Sequence, residues 1–337
     1  MTFCLALDAM GGDFGPGEIV PAALDCLEKH QSLEIILVGD EDTLQGVLKN
    51  HSAGTNDRLH IQHASEVVEM HELPSLALKN KKDSSMRIAI ELVRDGRASA
   101  CVSAGNTGAL MATARFVLKM LPGIDRPAIC STMPGLDGHT HVLDLGANVE
   151  PSSEQLFQYA VMGSELTKAV EGVEDPSVAL LNVGAEEIKG NDRVKQAALL
   201  LSESHLNYVG FVEGNDLYSG KVDVIVCDGF SGNIAIKASE GVANLFNAHA
   251  TDVFKSSVYG KLAALMSRPV LKAVKERIDP RRYNGASLLG LRGIVVKSHG
   301  GADRLSFAHA IEEAMIEVTK NVPERISQRL EDLLIET

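Results

Sequence analysis

The sequence predicts an α/β fold, a three-layer α/β/α arrangement on a mainly parallel sheet. Short apolar runs alternate with stretches of helical period along almost the whole chain, the pattern of strands covered on both faces by helices. Connections are short, and no Pro/Gly/Ser-rich linker or internal repeat divides them. Residues 1–337 are therefore expected to form one catalytic domain, with a basic helical protrusion at 252–282 inside it.

The elements follow from apolar runs and their punctuation. Phe3–Leu7 is a strand, followed by a helix over Gly17–His30. Strand Glu34–Val38 precedes helix Asp40–Lys49, and strand Leu59–His63 precedes a loop and helix Asp83–Arg94. Ser99–Val102 leads into helix Thr107–Met120. Ala128–Met133 and His141–Leu145 lie so close together that they predict a hairpin or antiparallel excursion. Helix Pro151–Val170, strand Val178–Val183, a helix to Glu203, and strands Tyr208–Val212 and Val222–Val226 continue the alternation. Phe230–Arg282 then reads as nearly continuous helix. One clear strand remains, Gly293–Lys297, before helices Asp303–Lys320 and Pro323–Ile335.

Composition narrows the function. A chain with 45% hydrophobic and 23% charged residues is an ordinary soluble protein with a sizeable core. Tryptophan is absent, aromatics make up 4% and the net charge is −13, which argue against a nucleic-acid partner. Cys4, Cys26, Cys101, Cys130 and Cys227 show no paired spacing and read as small core residues of a reduced compartment. Met1–Met10 lacks a basic segment and runs straight into a strand and a glycine loop, so a cytoplasmic location without a signal peptide is expected.

In open parallel sheets, ligands bind beyond the carboxyl ends of strands. Glycines with small polar residues stand at five such ends: Asp8–Gly17, Ser103–Gly108, Asp144–Asn148, Gly184–Asn191 and Cys227–Asn233. Glycine permits close backbone approach, and free N–H groups of the next helix attract an anion. Each loop alone is also an ordinary strand-to-helix turn. Together they predict a cleft for a phosphate-type group, with Asp8, Gly11, Gly12, Asn106, Thr107, Asn148, Asp228, Gly229, Ser231 and Gly232 as binding candidates. Ser84 and Ser85, beside Lys81, Lys82 and Arg87, suit either an anion or a solvated basic loop. No GxxxxGK[ST] occurs, and Val20 stands where the third glycine of GxGxxG would fall, so nucleotide-binding motifs are excluded.

Three residues are candidate catalytic groups. Lys189 is the basic residue of a strand-end loop and can hold a phosphate oxygen; it can equally be a solvated lysine. His299, in Ser298–Gly301, can act as acid or donor, or decorate the surface. Asn233 can donate to an oxyanion or cap a helix. Cys227 reads as a buried strand cysteine before a nucleophile. No HExxH, paired-cysteine or Asp-rich pattern calls for a metal.

Between Lys255 and Arg282 eight basic residues meet two acids, a local balance of +6, while apolar residues recur near helical spacing. Pro269 must kink or break the run, giving two helices. Lys261, Leu262, Leu265, Arg268, Lys272 and Lys275 are the candidates for contact with an anionic membrane or an acidic partner, the alternative being a core or dimer-interface helix pair.

Nine stretches bind these features together: DAMGGDFGP (Asp8–Pro16), KKDSSMR (Lys81–Arg87), SAGNTGALM (Ser103–Met111), RPA (Arg126–Ala128), LDLGANVE (Leu143–Glu150), EEIKGN (Glu186–Asn191), FVEGND (Phe211–Asp216), CDGFSGN (Cys227–Asn233) and GASLLGLRGIVVKSHG (Gly285–Gly300). In them the chain resembles the phosphate acyltransferases of bacterial phospholipid synthesis. It departs from that pattern at Ala185, where an acidic residue is expected, and at Gly301-Ala302, where a serine pair is expected. The resemblance implies transfer of a fatty acyl group from acyl carrier protein to inorganic phosphate, giving acyl phosphate. It also implies an isopropylmalate-dehydrogenase-like fold, a homodimer, peripheral contact with the membrane and no organic cofactor. A dehydrogenase of the same fold, or a non-catalytic acyl- or phosphate-binding protein, are the rival readings.

Overall fold

The computed structural model describes residues 2–51 and 56–335, with the backbone alone at 275–278, 280 and 333–335. In chain order its elements are β1 (Phe3–Asp8), α1 (Pro16–Lys29), β2 (Leu33–Gly39), α2 (Glu41–Asn50), β3 (Leu59–His63), α3 (Pro74–Asn80), α4 (Ser85–Arg94), β4 (Ala100–Ser103) and α5 (Thr107–Leu118). The hairpin β5 (Ala128–Pro134) and β6 (His139–Leu143) follows, then α6 (Ser153–Glu171), β7 (Ser177–Leu181), α7 (Asp192–Ser202), β8 (Asn207–Val212) and β9 (Val224–Val226). The chain ends with α8 (Gly229–Lys255), α9 (Val258–Met266), α10 (Arg268–Ile278), β10 (Ala286–Leu289), β11 (Ile294–Lys297), α11 (Arg304–Lys320) and α12 (Val322–Ile335).

The strands form one sheet in the order β3-β2-β1-β4-β11-β10-β5-β6-β9-β7-β8. It contains two parallel blocks, β3-β2-β1-β4-β11 and β6-β9-β7-β8. Between them β10 runs antiparallel to both β11 and β5, and β5 runs antiparallel to β6. Three reversals separate the blocks, so they point in opposite directions. The carboxyl ends of β1, β4 and β11 therefore lie on one edge of the sheet, and those of β6, β7 and β9 on the other.

Alternation of side chains along each strand divides the core between two faces. Leu5, Leu7, Val102 and Val296 pack with α1 and α11, whereas Ala6, Cys101 and Val295 pack with α4 and α5. In the second block, Leu143, Val178 and Val224 pack beneath α6 and α12, while Val142, Ala179 and Ile225 face Leu217 and the first turns of α8. This is the expected three-layer arrangement. The hairpin was legible in the sequence; α3 and the four-residue β10 were not.

Past its first turns α8 leaves the core, and α9 contributes no buried residue. Val258, Leu262, Leu265, Met266, Val270 and Leu271 are all exposed beside the basic side chains. Pro269 sits in the first turn of α10, where it ends the preceding helix as expected. No helix among the described residues is long and apolar enough to cross a membrane. Cys26, Cys101, Cys130 and Cys227 are buried and unpaired, and Cys4 is half-buried.

Candidate active site

On the first edge, three neighbouring strands end in polar residues that pair side by side. Ser103 is in register with Asp8 on one flank and with Lys297 on the other. All three share the face covered by α4 and α5, and all are buried. The Ser103 hydroxyl donates to Asp8 Oδ2 at 2.6 Å and accepts the Gly105 N–H at 3.1 Å. Asp8 Oδ1 takes no well-formed hydrogen bond, although the Ser85 hydroxyl at the start of α4 and the Met10 N–H help steady its charge. Burial nevertheless pushes the Asp8 carboxyl above the ordinary range.

Lys297 crosses this group. Its ammonium donates to the Ala104 carbonyl at 3.3 Å and to that of Ser298. Burial lowers its pKa to about 8, against the opposing pull of Asp8 and Asp13. An ammonium has three donors, and the third has no partner among the described residues. The surrounding backbone is drawn tight. Gly12 has φ +84°, and a Cβ there would stand 2.8 Å from the Gly300 carbonyl oxygen. The Asp13 N–H donates to that same oxygen at 2.8 Å, which ties the β1 loop to the β11 loop.

His299 leaves this loop exposed to solvent. Its Nδ1 accepts the Gly301 N–H at 3.1 Å, so the neutral ring carries its proton on Nε2, facing outward. Asn284 holds the loop from below: its Oδ1 accepts the His299 N–H, and its amide donates to Ser298 Oγ and the Ser306 carbonyl.

Several predicted binders on this edge are committed to the fold. Asn106 caps α5 through Oδ1 and donates to the carbonyls of Met70 and Glu72. Ser84 caps α4 and donates to Lys81 O. Thr107 is exposed at the first turn of α5, and Gly11 lies against Asp8 and Gly105.

The second edge carries the other set. Asp144 accepts five hydrogen bonds, from the N–H groups of Ile129, Gly146, Ala147 and Asn148 and from the Asn148 amide. Asn148 also donates to Pro127 O, and Asp228 caps α8 through the Ser231 N–H and hydroxyl. Gly229 and Gly232 are required by space: a Cβ at Gly232 would fall on the Asp144 carbonyl oxygen. Asn148, Asp228, Gly229, Ser231 and Gly232 are thus occupied in building this loop. Asn233 stands over Gly146, half-buried, with its amide unpartnered among the described residues. Cys227 is buried and its thiol is pushed far up by burial, so it is no nucleophile.

Lys189 is exposed on this second edge, 2.7 Å from Glu186. One chain therefore does not bring the three catalytic candidates together. His299 lies on the first edge, whereas Lys189 and Asn233 lie on the second, because the antiparallel β10-β5-β6 seam turns the second block around. Nor do the five glycine loops all stand at one edge of the sheet. Ser103, Lys297 and Asn284 were not foreseen. The signal for Lys297 was a lone lysine closing an otherwise apolar strand.

Comparison with known proteins decides the family. A profile described as "Fatty acid synthesis protein" matches residues 3–325. The chain is 62% identical over 329 residues to a phosphate acyltransferase of Methylococcus capsulatus, covering 98% of this chain and 97% of that one. The chain belongs to the phosphate acyltransferase family. The corresponding protein of Nitrosococcus oceani is 58% identical over 336 residues, covering 100% and 99% of the two chains. Members of the family are acyltransferases.

Among solved structures, the fold is shared with the EutD phosphotransacetylase of Staphylococcus aureus (TM-score 0.59, 16% identity, 95% and 94% covered). It is shared equally with a branched-chain phosphotransacylase of Enterococcus faecalis (TM-score 0.59, 16% identity, 93% and 99% covered).

Proposed function

We propose that this chain transfers a fatty acyl group from acyl carrier protein to inorganic phosphate, giving acyl phosphate and free carrier thiol. The observation that carries the phosphate half is the buried Lys297 ammonium, with a donor to spare, beside backbone-lined glycine loops. A phosphate oxygen attacks the thioester carbonyl, forming the O–C bond. The resulting oxyanion collapses and the C–S bond breaks. The acylated phosphate gives up its own proton to the departing thiolate, the Nε2–H of His299 donates a hydrogen bond to that sulfur, and the Asn233 amide donates to the oxyanion. Lys189, released from Glu186, adds a second positive charge over the phosphate.

These roles require the two edges to meet, although the strand directions put them on opposite sides of one chain's sheet. We infer a homodimer in which the Lys189–Asn233 edge of one copy faces the Lys297–His299 edge of the other, a pairing that two-fold symmetry repeats. The test is complementation, with phosphate-dependent release of free thiol from acyl carrier protein as the assay. Lys189→Ala and His299→Ala are each expected to lose most turnover. Co-expressed, they should recover about a quarter of it, since half the random dimers then carry one intact site. No recovery, with mixed dimers shown to form, would sink the shared site; no phosphate-dependent thiol release by the wild type would sink the transferase reading.

The exposed basic and apolar side chains of α9 and α10 support a further part of the proposal, peripheral contact with anionic membrane. Lys261, Leu262, Leu265, Arg268 and Lys272 lie on these helices; the side chain of Lys275 falls outside the described residues. Docking of the acidic carrier protein on the same helices is the competing use. Carrier binding that survives charge reversal there, with vesicle binding lost, would assign them to the membrane.

A further inference from the structure

His139 and His141 are two residues apart on β6, so both project from the face covered by α6 and α11. Glu171, the last residue of α6, meets them there. His139 Nε2 lies 2.8 Å from Glu171 Oε1, and His141 Nε2 lies 3.6 Å from the same oxygen. All three ligand atoms fall within 4.8 Å of one another. The imidazole rings stand at 89° to each other with centroids 5.5 Å apart, so they do not stack, and both direct Nε2 at the one carboxylate.

We propose that His139, His141 and Glu171 form a binding site for one divalent transition-metal ion of the zinc class. The histidine interior to the fold makes the case. The His141 side chain is 3% exposed, and its Nε2 makes no close hydrogen bond, only the 3.6 Å approach to Glu171. Its Nδ1 lies 3.2 Å from Thr132 Oγ1, on the neighbouring strand. A Thr132 oxygen accepting from Nδ1–H leaves the Nε2 lone pair free to ligate, the arrangement by which outer partners fix metal-binding histidines.

Distance and charge agree. Ligand atoms around a tetrahedral zinc ion with bonds of 2.0–2.1 Å stand roughly 3.3 Å apart, and the two observed separations bracket that value. Two imidazoles and a carboxylate suit zinc, copper or nickel better than calcium or magnesium. Glu171 ends its helix, where the dipole is negative and a cation is favoured. Asp223 and the half-buried Glu313 of α11 add negative charge toward His139. His139 is partly open to solvent and gives the ion a way in.

The site is separate from the acyl-transfer chemistry. Lys297 and Asp8 face α4 and α5, whereas this group faces α6 and α11 on the opposite side of the sheet. Its effect is to clamp the start of β6 to the end of α6.

The test uses the full-length chain stripped with a chelator, then titrated with Zn²⁺ by calorimetry and with Co²⁺ by visible absorption. One ion per chain should bind with micromolar or tighter affinity, raise the Tm by several degrees and give Co²⁺ d–d bands. Thiol release should change less than about twofold on metal addition. His139→Gln/His141→Gln is expected to lose at least ~100-fold in affinity, and Glu171→Gln ~10–100-fold. Should the double variant misfold by circular dichroism, Glu171→Gln alone decides. Undiminished binding in a folded variant would mean the ion sits elsewhere, and no binding by the wild type at 100-fold molar excess would leave only an ion-pair cluster. Either result overturns the proposal.

Discussion

Replacing Lys297 by Met should make the protein more stable and a poorer enzyme. Burial lowers the Lys297 pKa from 10.5 to about 8. At about 1.4 kcal/mol per pKa unit, keeping this ammonium protonated at pH 7 costs the fold roughly 3 kcal/mol. Methionine fills similar volume without that cost, while Asp8 loses an attractive neighbour. A net gain of about 1–2 kcal/mol is expected in urea unfolding at pH 7. The sign with pH follows from linkage: the penalty is fully present below the folded pKa, shrinks from pH 8 to 10.5, and vanishes above. The advantage of the variant should shrink over that same window.

Catalysis should move the other way. A charge-assisted hydrogen bond to phosphate contributes about 1.5–3 kcal/mol, so kcat/KM for phosphate should fall roughly 10–150-fold. In the wild type, the same parameter should decline above about pH 8 as Lys297 loses its proton. A variant that is less stable at pH 7 and uses phosphate undiminished would refute both the buried-cation penalty and the assignment of Lys297 to the anion.

Three other perturbations follow from the packing. Gly232→Ala places a Cβ on the Asp144 carbonyl oxygen, and urea unfolding should register a loss of about 1–3 kcal/mol. Glu317 is buried against Ser287 with its pKa pushed up to about 8 by burial and by Glu313. Its raised folded pKa weakens the protein as pH climbs from 4.5 to 8, so Glu317→Gln should match the wild type near pH 4 and gain up to ~3 kcal/mol at pH 7 by thermal or urea unfolding. Reversing Lys261, Arg268 and Lys272 to Glu should abolish co-sedimentation with anionic vesicles while leaving stability within about 0.5 kcal/mol. Binding by the wild type should weaken with added salt.

Most of the elements were legible because apolar period and glycine punctuation are local signals. The five strand-end loops, the hairpin at Ala128–Leu143 and the helical run after Asp228 all appear where the sequence puts them. The direction of the second block was not legible. It depends on the four-residue β10, which was not among the expected strands, and on its pairing with β5, which lies far away in sequence. The same gap hid Ser103 and Lys297, whose partnership is a matter of register between strands. Asn106, Asn148 and Asp228 show the converse limit. Their residue types suit a ligand and a helix cap equally, and only the positions of the neighbouring N–H groups reveal that the fold has used them.

The seam gives the site its logic. A sheet parallel throughout would gather every glycine loop along one edge, and one chain could hold phosphate, oxyanion donor and proton donor together. Reversing half the sheet instead leaves each edge with an incomplete set. The first has Lys297 and the His299 proton, while the second has Asn233 and Lys189. Under the proposed mechanism, neither set alone would both hold an anion and stabilise a tetrahedral oxyanion. With the site shared as proposed, assembly would itself control when the acyl group is transferred. On that logic, dilution below the dimer dissociation constant should lower kcat rather than raise KM. Turnover per chain that stays constant on dilution into the monomer would show instead that one edge suffices.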